Sequence, residues 1–238
     1  MPLQIAVDGP AGSGKSTAAR RLARELGLTY LDTGAFYRCV ALAVLRRGVD
    51  PANEAAVTTV SAGLNLSFLP GAEAEPDRVF CDGEDVSEAI RRPEISRIVS
   101  LVAAYPAVRE KLTEQMRRLA AAHPVIMDGR DIGTHVLPEA DIKIFLTASS
   151  RERARRRWRE LETAGRAEGL TEENVLAEIE ARDREDSSRA AAPLRQAEDA
   201  RLIDATRLNP DEVAALIRAI VTEYRAGAKR PKYWYGLD

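Results

Sequence analysis

Nine consecutive residues near the start of the chain, Gly9-Pro10-Ala11-Gly12-Ser13-Gly14-Lys15-Ser16-Thr17, have the types and spacing to hold a nucleoside triphosphate. The glycines let the backbone curl so that successive N–H groups point at one phosphate. Lys15 can reach the β- and γ-phosphates, and the Ser16 hydroxyl can hold a magnesium ion. Asp128-Gly129-Arg130-Asp131 places two acids and an arginine together, a costly grouping unless a ligand or metal is there to answer it. Asp32-Thr33 with Arg38 one helical turn later is a third grouping, and Arg182-Asp183-Arg184-Glu185-Asp186 with Arg189 is a fourth. The stretch 151–159 adds Arg151, Arg153, Arg155, Arg156, Arg157 and Arg159.

These groups need elements to position them. The apolar residues 3–7 read as a strand and residues 17–26 as a helix, so the glycine-rich loop has its required strand–loop–helix setting. Residues 28–31 are a short second strand, followed by a helix to Arg47 with Asp32 or Thr33 as its N-cap. Arg38 then faces the loop side, where phosphate-binding groups collect. Residues 51–64 carry helical periodicity. Residues 64–69 and 78–81 alternate as paired strands, and Asp82-Gly83 is a tight-turn signal leading to Glu84-Asp85-Val86. With the Gly/Pro/acid-rich loop 70–77, this is a small antiparallel unit inserted in a βα-alternating chain, serving as scaffold or as a mobile flap over a substrate.

Residues 96–104 precede Tyr105-Pro106, which opens a helix with Val108, Leu112, Met116 and Leu119 on one face; Arg109 near its start is compatible with a solvated position. Residues 124–127 form a buried strand that ends in the Asp128–Asp131 charges, where open α/β sheets bind ligands. Residues 142–146 are a further strand. Ser149-x-x-Glu152 predicts a capping box for the arginine-rich helix, whose arginines cover too much circumference for more than two or three to meet one ligand. Residues 164–170 read as a lid hinge, 171–184 as a helix, 201–204 as the last strand, and Asn209-Pro210-Asp211-Glu212 as the start of a helix to about Tyr224. The expected architecture is α/β: an open five-stranded parallel sheet of P-loop NTPase type with helices on both faces, an inserted flap with a small antiparallel sheet, and a short lid. The expected division is residues 1–32, 106–147 and 171–225 as core, 33–105 as insertion, 148–170 as lid and 226–238 as a basic, aromatic tail.

Composition narrows the chemistry. A net charge of −2 argues against a general nucleic-acid-binding face, and no apolar run approaches the ~20 residues of a membrane span. Isolated Cys39 and Cys81 suggest neither disulfides nor zinc, and a strand beginning at Leu3 leaves no room for a signal peptide, so a cytoplasmic protein is expected. With His123 and His135 the only histidines, the composition argues against a histidine base or a histidine metal cluster. Five of the 35 basic residues are Lys and the rest Arg, the side chain that grips phosphate bidentately, although base composition of the genome explains most of that bias.

A GTPase would need Asn-Lys-x-Asp and Asp-x-x-Gly strings, and the chain has neither. A small-molecule kinase needs a triphosphate cradle, a flap, an arginine-bearing lid and convergent charge around an anionic acceptor, all of which are present. The blocks Gly9 to Thr17, Leu31-Asp32-Thr33-Gly34-Ala35-Phe36-Tyr37-Arg38, Asp82-Gly83-Glu84-Asp85-Val86, Asp128-Gly129-Arg130-Asp131-Ile132-Gly133-Thr134, Lys143-Ile144-Phe145-Leu146-Thr147-Ala148-Ser149, Arg182-Asp183-x-x-Asp186-x-x-Arg189 and Ala192-Pro193-Leu194 resemble bacterial cytidylate kinases, in family order from Gln4 to about Ile220.

That resemblance implies phosphoryl transfer from ATP, with Mg²⁺, to CMP or dCMP. It implies a clamp on the acceptor phosphate made of Arg38, Arg130 and Arg189, and a cytosine-reading set of Ser100, Arg109 and Asp131. Asp32 and Thr33 border the acceptor, Arg182 and Asp186 surround its sugar hydroxyls, and one or two of Arg155, Arg156 and Arg157 close over the transferring group. A monomer with nucleotides as its only partners, and neither nucleic acid nor membrane, is expected. The alternatives are a kinase for UMP, dTMP or shikimate, and a nucleotide-dependent interaction protein using the arginine-rich helix and tail.

Overall fold

The computed structural model describes residues 2–69, 71 and 77–227; most of the loop 70–77 and the tail from 228 onward, both singled out in the sequence, lie outside the described residues. Five parallel strands, β1 (Gln4–Asp8), β2 (Thr29–Asp32), β6 (Val125–Gly129), β7 (Ile142–Thr147) and β8 (Arg201–Asp204), form one sheet in the order β2-β6-β1-β7-β8. Alternation along the strands decides which face each side chain meets. Ala6, Leu31, Val125 and Met127 join one apolar cluster, whereas Ile5, Val7, Tyr30 and Ile126 join another. The first cluster is completed by α2 (Thr33–Arg46), α3 (Glu54–Ala62), α4 (Pro93–Val102) and α5 (Pro106–Ala122). The second is completed by α1 (Lys15–Leu26) and α8 (Pro210–Arg225). Helices therefore cover both faces, as expected.

Register lines up the charges. Asp8 lies opposite Gly129 and Asp32 opposite Asp128, so the carboxyl ends of β1, β2 and β6 form one edge that carries three aspartates. No helix among the described residues is long and apolar enough to cross a membrane.

Between β2 and α5 the chain builds α2, α3, the antiparallel sheet β3 (Leu66–Leu69), β4 (Arg78–Cys81) and β5 (Glu84–Asp85), and α4. The turn joining β4 to β5 has positive φ at both Asp82 (52°) and Gly83 (84°), the two-residue geometry that matches strand twist. This small sheet is fastened to the main one. Phe68 meets the Tyr30 ring edge-on at 6.3 Å, Arg20 of α1 stacks over Tyr30 at 5.1 Å, and the same guanidinium pairs with Asp77 at 2.7 Å.

The arginine-rich helix α6 (Ser150–Thr163) packs on α7 (Glu172–Ser188) around Ala154, Trp158, Val175 and Ile179. Its capping differs from expectation. The Ser149 side chain accepts from the Glu152 N–H at 3.3 Å, but the reciprocal bond is missing because the Ser149 N–H donates to Thr206 Oγ1 at 2.9 Å and the Glu152 carboxylate pairs with Arg156. Helix α7 opens instead with a complete capping box between Thr171 and Asn174, and it runs one turn beyond residue 184. The extra turn puts Asp186 on the helix.

Leu22 is fully buried between α1 and the sheet. Leu22→Ala should lower unfolding free energy by about 2–5 kcal/mol with an unchanged denaturant slope, measured by urea titration.

Candidate active site

The glycine-rich loop leaves β1 beside the aspartate edge. Gly12 (φ 74°) and Gly14 (φ 93°) adopt left-handed backbone that other residues avoid, and Gly14 is the N-cap of α1. No side chain caps α1 and its first turn holds no acid, whereas Asp32, Asn53, Ser149, Thr171 and Asn209 cap five other helices. The first N–H groups of α1 are thus left for an anion.

Lys15 is buried, donating to the Pro10 carbonyl at 2.7 Å and to Ser13 Oγ at 3.3 Å. Burial and the nearby Arg130 push its ammonium well below the usual lysine range. The Ser16 hydroxyl donates to Asp128 Oδ2 at 2.5 Å, and Tyr30 donates to Oδ1 of the same carboxylate at 3.1 Å. Burial and the neighbouring Asp32 push Asp128 upward. Asp8 accepts from the Ile132 and Gly133 N–H groups, both at 2.7 Å, which fixes the segment carrying Arg130 and Asp131; burial still raises its carboxyl to about 6.

Facing this loop is a field of cations. Arg38 is half-buried and has no hydrogen-bond or ion-pair partner among the described residues. Burial, then Arg157, Arg91 and Arg130, press its charge down. Arg182 is held down to about 10 by burial and by Arg130, Arg38 and Arg157, and its Nε is buried without a partner among the described residues. Arg130 pairs with Asp186 at 2.8 Å. Burial opposes ionisation of Asp186, but Arg130 and Arg182 outweigh it and hold the carboxyl below its ordinary range. Asp186 offsets part of this crowding of like charges, and an anion entering the field would relieve the rest.

Beyond Asp186 lies a second, drier group. Arg109 is only 2 % exposed, so its start-of-helix position is not the solvated one its spacing allowed. It hydrogen-bonds Asp131 and the Ala103 carbonyl, and its guanidinium lies 5.3 Å from the centre of the Tyr37 ring. Arg189 donates from Nε to the Ala192 carbonyl at 2.8 Å and stands 3.6 Å from Asp131 and 3.7 Å from Asp186. Asp186 therefore links the two groups through Arg130 on one side and Arg189 on the other.

The remaining expected residues are placed less uniformly. Asp32 is the N-cap of α2, and the Thr33 hydroxyl is spent on the Asp128 carbonyl at 2.7 Å. Ser100 is half-buried on α4 with no hydrogen bond among the described residues. Arg155 is exposed near Glu152, and Arg156 binds Glu152 together with the Ala205 and Leu208 carbonyls. Arg157, also paired with Glu160, adds its charge to the field around Arg38 and Arg182. Sequence reasoning missed Asp8, Tyr30 and the buried Arg153. An acid ending an apolar run just before Gly9 was a usable sign for Asp8; nothing in the helix spacing separates Arg153 from its neighbours.

A phosphate cradle at the carboxyl edge of a parallel sheet, opposite a cation field and beside a buried polar pocket, defines a nucleotide-binding kinase of the P-loop class. Residues 5–223 match the family described as cytidylate kinase. The chain is 51% identical over 221 residues to the cytidylate kinase of Desulfitobacterium hafniense, covering 93% of each chain. It is 50% identical to that of Lactiplantibacillus plantarum, covering 93% of this chain and 95% of the relative. The chain belongs to the cytidylate kinase family. A crystal structure of an uncharacterized protein from Eubacterium ventriosum shares the fold, with a TM-score of 0.50 at 12% identity over 92% of this chain and 98% of that one.

The raised Asp8 carboxyl has a pH signature. Its folded value near 6 exceeds the unfolded 3.8, so the folded state binds the extra proton between those values and stability from this group declines as pH rises through them. Asp8→Asn removes that dependence. The stability of Asp8→Asn minus wild type should therefore rise by up to about 3 kcal/mol from pH 4 to pH 7 in urea titrations, whatever its constant offset. A flat difference would contradict the assigned shift.

Proposed function

We propose that the chain transfers the γ-phosphoryl group of ATP to CMP or dCMP, giving ADP and CDP or dCDP. The observation that carries this reading is the incompletely paired field of Arg38, Arg130, Arg157 and Arg182 between the glycine-rich loop and the buried Arg109–Asp131 group. Donor and acceptor are both polyanions, and their repulsion must be neutralised before an in-line approach. A phosphate acceptor is already nucleophilic, so no general base is required.

The loop amides and Lys15 hold the ATP phosphates. Lys15 exchanges its bonds to Pro10 and Ser13 for phosphate oxygens, which restores the charge that burial suppresses. Arg38, Arg130 and Arg189 clamp the acceptor phosphate, and Arg182 and Asp186 meet its sugar hydroxyls. Ser100, Arg109 and Asp131 read the base: Arg109 occupies Oδ2 of Asp131, and Oδ1, which faces Arg189 at 3.6 Å without a hydrogen bond among the described residues, accepts from cytosine's exocyclic amino group. Uracil presents a carbonyl oxygen there, which leaves both groups mispaired.

The donor set also fits magnesium. Ser16 and Asp128 present hard oxygens in contact, and the crowding of Asp128 by Asp32 is the kind of repulsion a divalent cation relieves. When bound, Mg²⁺ would supply charge neutralisation and orientation of the ATP phosphates. Ser16 and Asp128 would hold it.

The test of this reading is ADP release from ATP–Mg²⁺ with CMP, dCMP, UMP, AMP, GMP, dTMP or no acceptor. CMP and dCMP should exceed UMP by at least 100-fold in kcat/KM, on the order expected when buried polar groups are left unpaired. Asp131→Ala should erase most of that ratio and leave ATP affinity within about threefold; equal turnover of CMP and UMP by the wild type would overturn the assignment. A second outcome follows from Lys15. Nucleotide binding should draw in protons above neutral pH, seen by calorimetry in buffers of differing ionisation enthalpy, and Lys15→Ala should abolish both this uptake and turnover.

A further inference from the structure

One buried arginine outside the reaction machinery joins the two halves of the site. Arg153 lies in the first turn of α6 and is 5 % exposed. Its Nε donates to the Ala148 carbonyl just past β7 at 2.8 Å, and its Nη1 donates to the Ala11 carbonyl inside the glycine-rich loop at 3.0 Å. Its Nη2 stands 2.7 Å from Asp183 Oδ2 on α7. Three nitrogens of one planar group thus meet three separate segments, which a lysine ammonium cannot do in a fixed geometry.

Contact with the loop is tight as well as polar. A Cβ built on Gly12 would stand 3.2 Å from Arg153 Cβ and 3.3 Å from the Arg153 carbonyl oxygen, so the first turn of α6 rests directly on the phosphate cradle. On the other side, Asp183 adjoins Arg182 and lies one turn before Asp186 on α7. Among the described residues Asp183 Oδ1 is buried without a hydrogen-bond partner, and Arg153 is the cation paired with this carboxylate. A carboxylate held by one partner follows that partner when it shifts.

We propose that Arg153 and Asp183 are positioning residues that register α7 on the glycine-rich loop, so that filling the donor site tightens binding of the acceptor. The joint rests on the reading of the loop as the ATP site and of Arg182 and Asp186 as acceptor-binding residues. Closing the loop around a triphosphate fixes the Ala11 carbonyl; Arg153 carries that constraint to Asp183, and Asp183 carries it along one helix to Arg182 and Asp186. The coupling is reciprocal, so acceptor must tighten donor by the same factor.

The experiment is calorimetric titration of CMP into the full chain, with and without a saturating non-hydrolysable ATP analogue, for wild type, Asp183→Asn, Arg153→Lys and the double variant. Wild type should bind CMP about fivefold or more tightly with the analogue present, within the usual range for coupled sites. Each single variant should bring that ratio below about twofold while the affinity for CMP alone changes less than about threefold. The double variant should lose no more than either single one, as expected of two residues acting as one unit. Retention of the wild-type ratio by a folded variant overturns the joint, as does loss of CMP affinity with the ratio unchanged, which is the mark of a merely structural pair. Should Asp183→Asn fail to fold, Arg153→Lys decides alone, because it keeps the charge and removes only the three-way geometry. Wild type that binds the analogue but no CMP overturns the acceptor reading itself, and UMP, dTMP or AMP titrated in its place identifies that failure separately. Wild type that binds both without coupling overturns the joint and leaves the function standing.

Discussion

Repulsion between two phosphate-bearing substrates is the constraint on which this structure turns. A protein that brings them together must present more positive charge than it can neutralise by itself, and must stay folded before the substrates arrive. The molecule answers with guanidiniums whose charges no ordinary solvation or buffer-like side chain could replace at that density. Among the described residues Arg38 makes no hydrogen bond or ion pair and is offset only at a distance by Asp32, Arg182 Nε is unbonded, and Arg130 and Arg189 share Asp186. One buried carboxylate placed between two cations keeps the field foldable without cancelling it.

The rest of the architecture delivers these charges to one place. Parallel strands end together, so Asp8, Asp32 and Asp128 meet at a single edge, and each is used to hold something: loop amides, a helix start, the Ser16 hydroxyl. The cradle itself is built from backbone and needs no side-chain precision beyond Lys15. Precision is concentrated instead beyond Asp186, where buried Arg109, Asp131 and Tyr37 pack together beside half-buried Arg189.

The two helical additions are attached differently. The small sheet grips α1 and β2 through Phe68, Tyr30, Arg20 and Asp77, and its apolar side continues the main core. Helices α6 and α7 have a separate small cluster of their own and touch the loop through Arg153 and Gly12. Their small core is thus separate from the two that cover the sheet.

The sequence by itself determined the fold class, the order and type of the strands, the phosphate loop and the family, because these rest on local periods and contiguous motifs. Boundaries moved by one to a few residues where caps were decided by distant partners. Ser149 lost half its capping box to Thr206, a residue 57 positions away that only folding brings near. The arginines show the same division. Arg38, Arg130 and Arg189 were singled out from their motifs, but burial of Arg109, the diversion of Arg156 to backbone carbonyls and the three-way fixing of Arg153 were not readable there. On a helix the six arginines of α6 are chemically equivalent. Which of them holds the loop, which faces the phosphates and which lies in solvent depends on what packs against each side, and that is a property of tertiary structure alone.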